Sequence, residues 1–212
     1  MLAWRQLVAL GFSEKAIRHR VKTGRLRPVM RGVYSVGRAE LSHKGQWMAA
    51  TLACGEGAFL THRSAGALFG VCEERNGVIE AGVRVAHPVR VPDLRVRRRP
   101  SLPSQDVGTL DQIPITSPVR TMVDLSTELP TRQLLRAVNE ADKLEVIYAD
   151  DLRLALEGYS GIPGAKRLVT LLDKDTFVLS DEELERLFSA IQHALYDARA
   201  SRTGRSNRSR AT

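Results

Sequence analysis

Apolar positions in residues 2–10 (LAWRQLVAL) recur at helical spacing, and Gly11 ends that run. Ser13 is a good N-cap, so a second helix is predicted over 14–23, stopping at Gly24. RPVMRGVYSV reads as a short hairpin. Val29 and Met30 lead into an Arg31-Gly32 turn, and Val33, Tyr34 and Val36 follow it. Residues 43–54 return to helix, and Thr61 can cap another through HRSAGALFG. Residues 77–99 have strand character, with apolar and basic residues alternating from Leu94 to Arg97. Residues 100–117 read as loop with a short strand. Ser117-Pro118 then opens a helix to about Glu128, with Ser at the N-cap and Pro at the first helical position. Further helices are expected over 131–144, 149–157 and about 165–173, and Ser180 caps a last one over roughly 181–197.

The order helix, tight turn, basic helix, hairpin at residues 3–36 is that of a winged helix-turn-helix. On a wheel of about 100° per residue, Lys15, Arg18, His19 and Lys22 share one arc, and Ile17, Val21 and Gly24 lie opposite. One face can pack on the preceding helix while the other presents cations and an imidazole to a major groove. Arg25 and Arg27 follow, and Arg31 sits at the expected wing tip, in reach of a phosphate or the minor groove. Solvated helix faces usually mix signs. Residues 13–31 instead carry seven Lys or Arg against Glu14 alone, which favours double-stranded DNA as a partner.

Charge along the 212-residue chain sharpens this picture. Its net +8 divides into +11 over residues 1–105, −8 over 106–185 and +5 over 186–212. The front suits a polyanion; the acidic middle does not. From Arg199 the tail (RASRTGRSNRSRAT) has five Arg and no aliphatic residue larger than Ala, so a disordered basic tail is expected over 199–212. No apolar run approaches the roughly 18 residues of a membrane span, and the N-terminal stretch lacks a signal-peptide cleavage site, so the expected location is the cytoplasm. Cys54 and Cys72 sit in apolar settings and are expected as free thiols.

Other chemistry is weaker. His62 and Ser64 stand close in Thr61-His62-Arg63-Ser64, but near neighbours on a helix seldom face each other and no third group is evident, so a capped helix is the simpler reading. Arg120 and Asp124, spaced i, i+4, can pair on one helix face and offer a partner-binding surface. The acids of SDEELERLF suit the first turn of a helix better than a metal site. No catalytic residue, metal or cofactor is expected.

QLVALGFSEKAIRHRVKTGRLRPVMRGVYSVG resembles the N-terminal winged helix of AbiEi-type antitoxins of type IV toxin–antitoxin systems. THRSAGALFG, IPITSPVRTMVDL and GIPGAKRLVTLL resemble the middle region of related actinobacterial proteins. SDEELERLF resembles the opening helix of the very-short-patch-repair-like endonuclease domain that often ends them. The similarity spans about residues 3–190, and RGVYSVG and SPVRTMVDL are its most specific pieces. It implies an autorepressing regulator, with a cognate toxin as a further partner. The family's winged helix has one more helix before residues 2–10, and its C-terminal domain here gives way to the Arg/Ser tail.

The expected architecture is α+β. A winged helix-turn-helix, lacking its first helix, occupies 1–40, and a mixed α/β antitoxin-like domain 41–176. A truncated helix at 177–198 and the tail follow. The leading function is DNA-binding regulation. The alternatives are an interaction antitoxin that neutralises a toxin and a remnant of an endonuclease-fused protein, in which Glu183 and Glu185 would matter.

Overall fold

The computed structural model describes residues 1–37, 40–85 and 93–173, and shows an α+β chain with two sheets. The expected helix at 177–198 and the tail at 199–212 lie outside the described residues.

The N-terminal module departs from expectation at its start. Leu2–Ala3 form a strand (β1), and the first helix, α1, runs only from Trp4 to Ala9. β1 pairs antiparallel with Val33–Val36 (β3), which also pairs with Leu26–Met30 (β2), giving the order β1-β3-β2. Two residues cannot signal a strand by their own periodicity; the free edge of β3 makes one. Gln6 Oε1 then accepts from the Ala3 amide at 2.7 Å and starts α1. Gly11, at φ +86°, turns the chain, and the Ser13 hydroxyl caps α2 (Glu14–Lys22) by accepting from the Ala16 amide at 3.2 Å. Pro28 donates nothing to the β2–β3 ladder, and the register shifts between Pro28 and Met30. Leu7, Ile17 and Leu26 form the module's buried core, one from each successive element. This arrangement is consistent with a winged helix-turn-helix.

Helix α3 (His43–Cys54) packs against all three strands of the small sheet and also against the larger sheet that follows. That sheet contains β4 (Phe59–Leu60), β5 (Ile79–Val83), β6 (Leu94–Arg98), β7 (Val107–Leu110) and β8 (Ile113–Thr116), in the order β6-β5-β4-β8-β7. β5 is buried along its whole length. Ile79, Ala81 and Val83 join apolar clusters with α3 residues Trp47, Ala50 and Cys54. Helix α4 (His62–Phe69) and helix α5 (Pro118–Ser126) pack on each other, and α4 contacts β5. A two-residue alternation therefore sends Glu80 away from α3, toward α4.

Helix α5 is enclosed: every residue from Arg120 to Ser126 is buried. Helix α6 (Thr131–Lys143) covers it with Leu134, Ala137, Val138 and Ala141, an i, i+3, i+4, i+7 stripe. Helices α7 (Ala149–Ala155) and α8 (Ala165–Leu171) complete the described fold. Gly164 lies against α5, and Arg167 donates to the Ser126 and Leu129 carbonyls at 2.6 and 2.7 Å, satisfying the helix's open end. Among the described residues, no helix is long and apolar enough to cross a membrane.

Candidate nucleic-acid interface and a buried polar cluster

Amphipathicity decides which face of α2 is free. Ile17 is wholly buried and Val21 half-buried, whereas Lys15, Arg18, His19 and Lys22 are exposed. Arg25, Arg27 and Arg31 are exposed as well, so all seven residues singled out for DNA contact are at the surface. Arg20, on the same helix, is not part of that face: it lies over the Phe12 ring, 4.4 Å from its centre, and donates to the Ala16 carbonyl. A groove of about 700 Å3 runs between α2 and the β2–β3 hairpin. Ile17, Val21 and Tyr34 are among its lining residues, as are Arg18 from the helix and Arg31 from the hairpin turn. Glu14, the lone acid in this stretch, pairs with Arg18 one helical turn on.

A second concentration of polar groups lies inside the larger α+β region. Thr61 is the N-cap residue of α4, but its side chain makes no capping bond. Its hydroxyl donates instead to Asp124 Oδ2 at 3.0 Å, 63 positions away. That bond dictates the His62 tautomer. The Thr61 hydroxyl has one proton, already given to Asp124, so His62 Nδ1 must carry a proton and donate to Thr61 Oγ1 at 2.9 Å. Nε2 keeps its lone pair and accepts from Arg99 Nη2 at 3.3 Å. The imidazole is neutral in this arrangement. Burial pushes its pKa down to about 4, the Arg97 and Arg99 charges add to that, and Asp124 opposes it.

Asp124 binds much of the cluster together. Its Oδ1 accepts from Arg120 Nε and Nη2 at 3.1 and 2.9 Å and from Arg99 Nη2 at 2.5 Å. On β6, Arg95 and Arg97 project to the side where Glu80 stands, since β5 and β6 run parallel with Glu80 level with Arg95 and Gly82 with Arg97. Arg97 donates to Glu80 at 2.7 Å and pairs with Glu128. Burial works to raise the Glu80 pKa, but its bonds from Arg97 and the Arg63 amide outweigh it and hold the carboxyl below the usual range. Tyr159 donates to Asp106 Oδ1 at 2.6 Å; burial and this bond push its hydroxyl up to about 12.

Arg120 and Asp124 do pair at i, i+4, but the partner-binding reading of these two needs correction. Their exposures are 6% and 2%, so neither side chain offers a contact surface to another protein. Sequence reasoning also missed His62, Glu80, Arg97 and Arg99 as one cluster. The alternation of Arg95, Arg97 and Arg99 was the available signal; their acidic partners come from distant segments. His62 and Ser64 do part company: Ser64 pairs with Glu74 and accepts from the Glu80 amide. Cys54 and Cys72 are free, and burial pushes both thiols up to about 11. Among the described residues, no group of three or more His, Cys, Asp or Glu side chains is placed to hold a metal.

A family model described as the AbiEi antitoxin C-terminal domain matches residues 56–174, more than half of the chain. No curated protein matches it.

Proposed function

The chain belongs to the AbiEi antitoxin family, and we propose that it is a DNA-binding transcriptional regulator that represses its own operon. One observation carries this reading: seven cationic or imidazole side chains on α2, the hairpin and the turn between them are exposed, while Ile17 anchors the opposite face of α2 in the core. Lys15, Arg18, His19 and Lys22 enter the major groove. Arg25, Arg27 and Arg31 hold phosphates, with Arg31 on the wing across the groove from Arg18. Repression follows from occupying a promoter that polymerase needs. Such an interface works by charge and base-edge hydrogen bonds and requires no cofactor.

A gel shift on the duplex upstream of the gene tests the assignment. Replacing Arg18 and Lys22 together with Ala is expected to abolish the shifted band. Neither side chain is buried, so the double variant is expected to keep its fold, checked by circular dichroism. An unchanged shift would remove α2 as the recognition helix.

A second reading, neutralisation of a toxin, is favoured by the antitoxin domain matched at 56–174. Its contact surface must exclude the buried Arg120 and Asp124 side chains. Co-purification of the full chain with the product of an adjacent nucleotidyltransferase gene, where one exists, tests it; no co-purification counts against it.

A further inference from the structure

Of the seven residues assigned to DNA, six have no acidic partner among the described residues. Arg18 is the exception: its Nη2 donates to Glu14 Oε1, one helical turn back. Glu14 is the lone acid among residues 13–31 and the first residue of α2. A carboxylate is unfavourable on a surface that must approach phosphates, so its place there needs a reason. Stability is a poor one. Arg18 and Glu14 are 76% and 60% exposed, and such a pair adds little to a fold. The helix dipole favours an acid in the first turn, but does not require it to hold Arg18.

The consequence is geometric. Lys15, His19 and Lys22 are exposed and free to swing toward any oxyanion. Arg18 is held. Glu14 takes one Nη2 proton and leaves the second, with both protons of Nη1, in a defined direction. Two N–H bonds from one guanidinium fork match the O6 and N7 acceptors of guanine in the major groove. They match a phosphate as well, but a phosphate brings net negative charge up to the Glu14 carboxylate, and a guanine edge does not. Glu14, Arg18 and Arg31 all line the groove between α2 and the hairpin, so the pair stands on the surface proposed to face the duplex.

We infer that Glu14 is a positioning residue that commits Arg18 to a guanine and keeps it off phosphates, so that this pair, rather than the free cations, sets sequence preference. The inference rests on reading α2 as the DNA-facing helix.

The experiment is fluorescence anisotropy of the full chain, at one salt concentration, on two duplexes. One is the duplex upstream of the gene; the other is a shuffled duplex of the same length and base composition. Wild type is expected to prefer the upstream duplex. Glu14→Gln keeps the size of the side chain and removes its charge. It is expected to bind the shuffled duplex about twofold to fivefold tighter, while the preference for the upstream duplex falls at least about fivefold. Replacing the guanines of the upstream duplex with 7-deazaguanine, which lacks the N7 acceptor, is expected to weaken wild type at least about fivefold and Glu14→Gln less. Glu14 is exposed, so the variant is expected to fold, with its thermal midpoint as the check. No binding by wild type would overturn the DNA-facing reading of α2 and this inference with it. Binding without preference would overturn this inference alone. So would a preference that Glu14→Gln retains in full, which would leave Glu14 a helix-end charge. Equal losses on 7-deazaguanine in the two proteins would also overturn it, since the guanine contact would then not depend on Glu14.

Discussion

Acidification should destabilise this protein through the side chain of His62. Its environment leaves no room for a second ring proton. Nδ1–H is committed to Thr61, and Nε2 faces a guanidinium that can only donate. Protonation would set an imidazolium against Arg99 and strip that arginine of an acceptor. The folded-state pKa accordingly falls from 6.5 to about 4. Between those values the unfolded chain binds a proton that the folded chain refuses. Stability is therefore complete above about pH 6.5 and declines as pH falls toward 4, at about 1.4 kcal/mol per unit. Going from about pH 7 to about pH 5 should cost about 2 kcal/mol, and the full window about 3 kcal/mol. Glu80, whose carboxyl is held low, loses its contribution only below the ordinary carboxylate range, so it does not confuse the upper part of the window. The assay is urea unfolding followed by circular dichroism across this range, on wild type and His62→Asn. Asparagine suits the positive φ of +50° at this position and retains a donor toward Thr61, but it does not titrate. The variant is expected to be less stable at neutral pH and much flatter with pH. The same slope in both proteins, or a wild-type loss under about 0.5 kcal/mol, would refute the reasoning.

Asp124→Asn should destabilise the fold by about 3–5 kcal/mol in the same urea assay, because Arg99 and Arg120 would share a neutral oxygen in a buried site. Gly164→Ala should lower stability by at least about 1 kcal/mol. The residue sits at φ +92°, and a Cβ there would come within 2.5 Å of the Val123 carbonyl oxygen; thermal unfolding measures the loss. Arg31→Ala should reduce the log–log salt dependence of DNA binding by about 0.9, the signature of one lost phosphate contact. An unchanged slope would move the hairpin turn away from the backbone.

Much of the fold was legible because its signals are local. Ser13 and Ser117 cap the helices they precede, the Arg31-Gly32 pair makes the hairpin turn, and the stripe of α6 is buried as its spacing demands. The strands β1 and β4 were not legible. Each has two residues, and each exists because a neighbouring strand offers unpaired backbone groups. Leu2 and Ala3 read as helix in the chain alone and become strand only against β3. Thr61 looked like an ordinary cap for a related reason: a hydroxyl bonds to whatever acceptor is nearest, and Asp124 arrives from 63 residues away.

The sequence alone determined the cationic arc of α2 and its apolar back, since helical geometry converts residue spacing directly into a face. Tertiary structure alone decided that Arg120 and Asp124 are internal, and that His62, Glu80, Arg97 and Arg99 meet at one site. Burial and charge pairing depend on what other segments bring alongside, and no local pattern records that.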